Sequence, residues 1–193
     1  KKFYPYGSMS NYHTAQQENA MTLMEELTRN EIKELLGKCW ITHDAMWYAH
    51  ALFTHGIDEA NRLNRAAIKS MVDIELGRFL KAMNMTPDQV RSFEGFKTFF
   101  QSVQELVIPD FMNVTTRFDA PDTLSWRFNE KGCFAYNGVK RLNMENHYQC
   151  GVLYRIQCWL TCLEIPFEMS PTPTTCLMAE HGRCQGSFTC EFT

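Results

Sequence analysis

The sequence predicts an α+β protein, with a helical N-terminal half packed on a C-terminal antiparallel sheet that also carries helices. Three observations point there. From about residue 15 to Pro109 the apolar residues recur at steps of three and four, the period of a helix with one buried face. Beyond Pro109 the period changes to two: Leu124, Trp126 and Phe128 alternate with Ser125, Arg127 and Asn129, as in a half-buried antiparallel strand. Finally, no apolar run approaches the ~20 residues of a membrane helix. The chain therefore divides into residues 1–14, a tag or disordered tail, a helical region over 15–109, and an α+β region over 110–193. No linker longer than a loop separates the last two, so they can form one unit.

Each element has its own signal. Gly7-Ser8-Met9 reads as a cloning junction before a natural start at Met9, so residues 1–8 receive no functional weight. Thr28-Arg29-Asn30-Glu31 has the form of a capping box. It opens a helix carrying Ile32, Leu35, Leu36, Cys39, Trp40, Met46 and Trp47, which stops near Gly56; Gly37 is expected to break or kink it. Asp58 is the expected cap of a second helix through Ala60, Ile68, Val72, Leu76 and Leu80. Thr86-Pro87-Asp88 starts a third, with proline at the first helical position, which runs through Phe93, Phe96, Phe100 and Val107 to Pro109.

Strands are expected over 111–118 and around Leu124 to Phe128, joined by a turn that contains Pro121. Asn146 is the expected cap of a helix through Val152, Ile156, Trp159 and Leu163, and residues 167–170 are extended. The end reads as a β-hairpin: a strand over 174–180, a turn at His181-Gly182-Arg183, and a strand over 186–192.

Composition narrows the partners. The formal net charge is −3, with acidic and basic residues interspersed. No polybasic patch is present, so nucleic acid and membrane are not expected partners. The first twenty residues lack the apolar core of a signal peptide, so the expected location is cytoplasmic, where thiols stay reduced. Fourteen Phe, eleven Met and four Trp make an aromatic, adaptable interior in which a small-molecule cavity is plausible beside a plain Met-rich core. A homodimer is compatible with the sequence.

Chemistry is best sought among the cysteines, because a thiolate is both a nucleophile and a soft metal ligand. Seven of the eight lie in the last third of the chain. Cys176, His181, Cys184 and Cys190 have the spacing C-x4-H-x2-C-x5-C, four ligand types that zinc or another transition metal takes. The set lacks the paired C-x2-C knuckles of zinc ribbons, and Cys190 alternates with Phe188 and Phe192 as a core residue would. Cys158 and Cys162, four apart on a helix, face the same way and can share a ligand wall. Cys150 stands two turns earlier, too far to join them. His43, Trp47 and His50 share a helical face, and Trp47 and His50 are candidates to line a ligand cavity. They do not form a HExxH arrangement. No phosphate loop, nucleophile elbow or dinucleotide fingerprint exists.

The run His43-Asp44-Ala45-Met46-Trp47, followed by Phe53, Gly56, Glu59-Ala60 and Leu63-Asn64, resembles the opening of a bacterial and archaeal family grouped with the L-2-amino-thiazoline-4-carboxylic acid hydrolase-like proteins. The ending Cys190-Glu191-Phe192 resembles that group's C-terminal C-x-F, and the α+β half is similar to the 4-vinyl-reductase-like fold. The resemblance implies a helical cap over an α+β domain, with a small organic or metal ligand between them. For the hydrolase relatives it implies ring opening at a C–N bond, chemistry for which a thiolate–imidazole pair is suited.

Three functions follow as expectations. The first is a small-molecule binding or sensing protein. The second is a cysteine hydrolase, with Cys184 or Cys150 as nucleophile and His181 or His147 as base. The third is a structural zinc protein held by Cys176, His181, Cys184 and Cys190.

Overall fold

The computed structural model describes residues 22–193. The expected cloning junction, and the start of the helical region at residue 15, lie outside the described residues. The fold is α+β, with helices N-terminal and a four-stranded antiparallel sheet C-terminal.

A short α1 (Leu23–Glu26) leads into α2 (Arg29–His55). The capping box forms: the Glu31 amide donates to Thr28 Oγ1 at 3.2 Å, and Glu31 Oε2 accepts from the Thr28 amide at 2.8 Å. Gly37 does not break this helix. It is the point where α2 meets Pro109, whose Cγ would lie 2.7 Å from an added Cβ. Gly56, at φ 86°, ends α2 and caps α3 (Ile57–Met83) in place of Asp58.

The third helix is two. After α4 (Pro87–Val90) the chain turns at Arg91 and Ser92, and α5 (Phe93–Val107) starts with the Gly95 amide donating to Ser92 Oγ at 3.2 Å. Gly95 packs so close to the Gln89 carbonyl oxygen that a Cβ would stand 1.7 Å from it. A 3-10 turn (Asp110–Met112) follows.

β1 (Val114–Asp119) and β2 (Thr123–Phe128) pair antiparallel, Val114 opposite Phe128 and Asp119 opposite Thr123. Then come α6 (Phe134–Arg141), which the sequence reading missed, and α7 (Gly151–Cys162). Cys150, not Asn146, stands at the N-cap of α7; its sulfur accepts from the Leu153 amide at 3.5 Å.

The remaining elements are β3 (Phe167–Ser170), α8 (Leu177–His181) and β4 (Gln185–Cys190). The expected terminal hairpin is therefore corrected: most of the segment 174–180 turns into α8. Glu180 Oε1 accepts from the Thr175 amide at 2.8 Å and from the Thr174 and Thr175 hydroxyls, which ties the loop to this helix. Left-handed Gly182 ends it. β4 instead pairs with β2 on one edge and β3 on the other, giving the order β1-β2-β4-β3.

The pleat sorts the sheet into two faces. Leu124, Trp126, Phe128, Phe188 and Cys190 point inward and are buried. Against them lies the aromatic side of α5, Phe96, Phe99 and Phe100, all 0–1% exposed, with Trp159 of α7 edge-on to Phe99 and Phe100. Val72, Leu76 and Leu80 of α3 belong to the same core, so the two halves share one apolar interior.

Polar groups fix how α3 docks on α7. Buried Glu75 takes Arg155 through two contacts, one of them Nε to Oε2 at 3.0 Å, and Trp159 Nε1 donates to Glu75 Oε2 at 2.9 Å. Arg155 also lies over the rings of Trp40 and Trp159. Burial lowers its pKa to about 10, which leaves it cationic at neutral pH. Asn61, 2% exposed, accepts from Tyr48 Oη at 2.9 Å and the Gln149 amide at 3.1 Å while donating to the His147 carbonyl at 2.8 Å.

Candidate functional site

Strand alternation that buries five residues on one face must set polar residues on the other. The outer face carries Thr115, Arg117 and Asp119 on β1, Thr123, Ser125 and Arg127 on β2, Gln185, Ser187 and Thr189 on β4, and Glu168 and Ser170 on β3. Register aligns them in rows across the strands. Arg117, Ser125, Ser187 and Ser170 form one row, and Thr115, Arg127 and Gln185 the next.

Over these rows runs an open groove of about 900 Å³, bounded at one side by Pro171 and by His181 and Arg183 at the end of α8. Gly186 forms part of its floor. A Cβ there would stand 2.3 Å from the Ser170 carbonyl oxygen and 2.6 Å from the Trp126 ring, so only glycine lets β3 and Trp126 close beneath this point.

Three guanidinium groups and one imidazole line the groove. Arg117 is partly neutralised, its Nε 3.0 Å from Asp119 Oδ2. His181 Nε2 stands 3.6 Å from Glu180 Oε2, a carboxylate already held below its ordinary pKa by hydrogen bonds from Thr175 and Thr174. Arg127 and Arg183 differ. Neither side chain forms an ion pair or hydrogen bond with another described residue, and both are exposed. Two uncompensated guanidiniums above serine and threonine hydroxyls make an electropositive, donor-rich surface.

A smaller cleft of about 300 Å³ opens between α3 and α7, lined by Arg65, Cys150, Tyr154 and Gln157. Arg65 lies over the Tyr154 ring, its Cζ 3.6 Å from the centroid.

The sequence-predicted residues fall in different places. Of the hairpin set, Cys176, Cys184 and Cys190 are buried, whereas His181 is exposed and reaches the groove. Among the described residues no group of three or more His, Cys, Asp or Glu side chains is placed to hold a metal ion, so Cys176, His181, Cys184 and Cys190 are not assembled as a zinc centre. The reason is the lost hairpin: α8 leaves His181 at the surface, while the three thiols are buried.

Nor are the thiols set up as nucleophiles. Burial pushes Cys150 up to about 11 and Cys184 and Cys190 up to about 12, and it also raises Cys133 and Cys176. Each is thus a neutral thiol at pH 7. The Trp126 indole N–H beside Cys184 offsets little of this, and it meets no partner at hydrogen-bonding geometry among the described residues. His147 is exposed and uses its backbone carbonyl to receive Asn61. No imidazole is hydrogen-bonded to a thiol among the described residues.

Cys158 and Cys162 line neither of the two clefts. Cys162 is exposed and donates to Asp73 Oδ1 at 3.3 Å, which raises its pKa further. Trp47 is 70% exposed and bonds His43 Nε2 through its indole N–H at 3.1 Å, while His50 is exposed on the same helix, away from both clefts.

Sequence reasoning missed Arg117, Arg127 and Arg183. The signal for the first two was available in the polar half of the strand alternation, Thr115-x-Arg117 and Ser125-x-Arg127, which is easily passed over when only apolar positions are followed.

Comparisons with protein-family models, with curated proteins and with solved structures find no significant match. No helix among the described residues is long and apolar enough to cross a membrane.

Proposed function

We propose that this protein binds a small anionic molecule, one bearing carboxylate or phosphate groups, in the groove on the outer face of its sheet. The observation that carries the reading is the pair Arg127 and Arg183, uncompensated within about 900 Å³ of concave, hydroxyl-lined surface. A guanidinium gives a carboxylate or phosphate two parallel hydrogen bonds in a fixed fork, and Ser125, Ser187 and Thr115 supply further groups that orient the remainder of the ligand. The volume matches the ~300–1,000 Å³ typical of small-molecule sites.

Of the three expected functions, small-molecule binding is thus kept, with its site moved from the thiols to the sheet. The hydrolase alternative needs a thiolate, and burial works against one at Cys150 and Cys184.

Isothermal titration with citrate, malonate and inorganic phosphate at low salt tests the reading. We expect saturable binding of at least one probe, weakened tenfold or more in the Arg127→Gln/Arg183→Gln double variant and by added salt. No binding by the unaltered protein, or undiminished binding by the double variant, refutes it.

A further inference from the structure

α2 is built the wrong way round for a helix that serves only its own chain. It buries two residues, Ala49 and Leu52, although it is 27 residues long. Meanwhile Leu36 (64%), Trp47 (70%) and Phe53 (70%) are largely exposed, and Leu35, Trp40 and Met46 are 40–52% exposed. At ~100° per residue these six fall within one arc of roughly 140°, with Cys39, His43, His50 and Thr54 among them. The arc is continuous over roughly 27 Å of helix. Its accessible area is on the order of 700 Å², above the ~300–600 Å² of the largest patch on a typical monomer and near the ~800 Å² each partner gives a standard interface.

We propose that this face is the contact between two copies of the chain, their α2 helices antiparallel across a two-fold axis at His43-Asp44. The spacing selects a second copy. Trp40 and Trp47 are equidistant from the midpoint of His43 and Asp44, and Leu35 and Phe53 are almost so. A two-fold axis there sets Trp40 of one copy beside Trp47 of the other and brings Leu35 and Leu36 towards Phe53. That self-complementarity is what an isologous interface requires. The two Trp rings are already oriented, Trp40 by Arg155 beneath it and Trp47 by its bond to His43, so less freedom is lost on association. The charges bordering the arc, Glu31, Lys33 and Asp44, are of both signs, unlike the Lys/Arg-rich border by which an amphipathic helix holds a lipid surface.

Sedimentation velocity of the full 193-residue chain, from submicromolar to high-micromolar concentration, tests the pairing. The expected species at high concentration has twice the 22.5 kDa of one chain. Trp47→Glu and Leu36→Glu should each raise the dimer Kd tenfold or more without altering the far-UV circular dichroism or the urea midpoint of the monomer. In a Cys39→Ser/Cys162→Ser background, His43→Cys should give a disulfide-linked dimer on mild oxidation, and the α3 control Lys69→Cys should not. A chain that stays monomeric overturns the proposal, whether the face is then covered by residues 1–21 or by another protein. So does a dimer indifferent to Trp47→Glu, or one that His43→Cys does not cross-link.

Discussion

α2 and α3 have equal length, 27 residues each, and a single glycine joins them, yet they behave as opposites. α3 buries six residues, among them Glu75, which holds Arg155 and Trp159 of α7, and Asn61, which bonds Tyr48 of α2 and the backbone of His147 and Gln149 just before α7. α2 buries two and turns Leu35, Leu36, Trp40, Trp47 and Phe53 outward. Both carry ordinary helix formers and sound end signals. Capping and propensity therefore decide that each segment is a helix, while the partner across the interface decides what each helix is for.

The sharpest way to break this contrast is Glu75→Ala. It leaves Arg155 and the Trp159 indole facing each other without their common acceptor, and removing one member of a buried pair costs about 3–5 kcal/mol. Urea unfolding should register that loss; under ~1 kcal/mol would mean that α3 is no more committed to the core than α2. Asn61→Ala comes next. It strips partners from Tyr48, the Gln149 amide and the His147 carbonyl, for an expected loss of about 1–3 kcal/mol, with faster hydrogen exchange at Gln149.

The glycines provide a matched test of smaller size. Gly77 of α3 has open space where a Cβ would go, so Gly77→Ala should stabilise by roughly 0.5–1 kcal/mol through helix propensity. Gly37 of α2 meets Pro109, and Gly37→Ala should destabilise by about 1 kcal/mol once the clash outweighs the same propensity gain. Equal signs for the two would show that Pro109 gives way. Smallest is Trp47→Ala, which should move the monomer's stability by no more than ~0.5 kcal/mol, because the ring is packed against little of its own chain.

Local signals were legible in the sequence, and non-local ones were not. Thr28 and Glu31 announced α2, Thr86-Pro87 announced α4, and Leu124-Trp126-Phe128 announced β2, since each is decided within a few residues. The turn at Ser92 was hidden because it depends on Gly95 lying against the Gln89 carbonyl. Thr174 to Glu180 read as a strand because β-branched threonines followed by a short apolar run favour one. Its expected hairpin partner has no edge to offer, since β2 and β3 occupy both sides of β4. The groove shares that limit. Arg127 and Gln185 were visible as polar positions, but nothing local says that they stand opposite each other across two strands.

The place of β4 also has a temporal meaning. The chain enters the sheet with β1 and β2, leaves it for α6 and α7, returns with β3, and only then supplies the strand that bridges β2 and β3. During synthesis, β3 has no strand to pair with until Gln185–Cys190 has cleared the ribosome, and the inner edge of β2 stays unpaired until then. Helical contacts can form early, because they are local in sequence, whereas the sheet must close last. The groove does not exist before that moment, because Gln185, Gly186 and Ser187 of β4 line it.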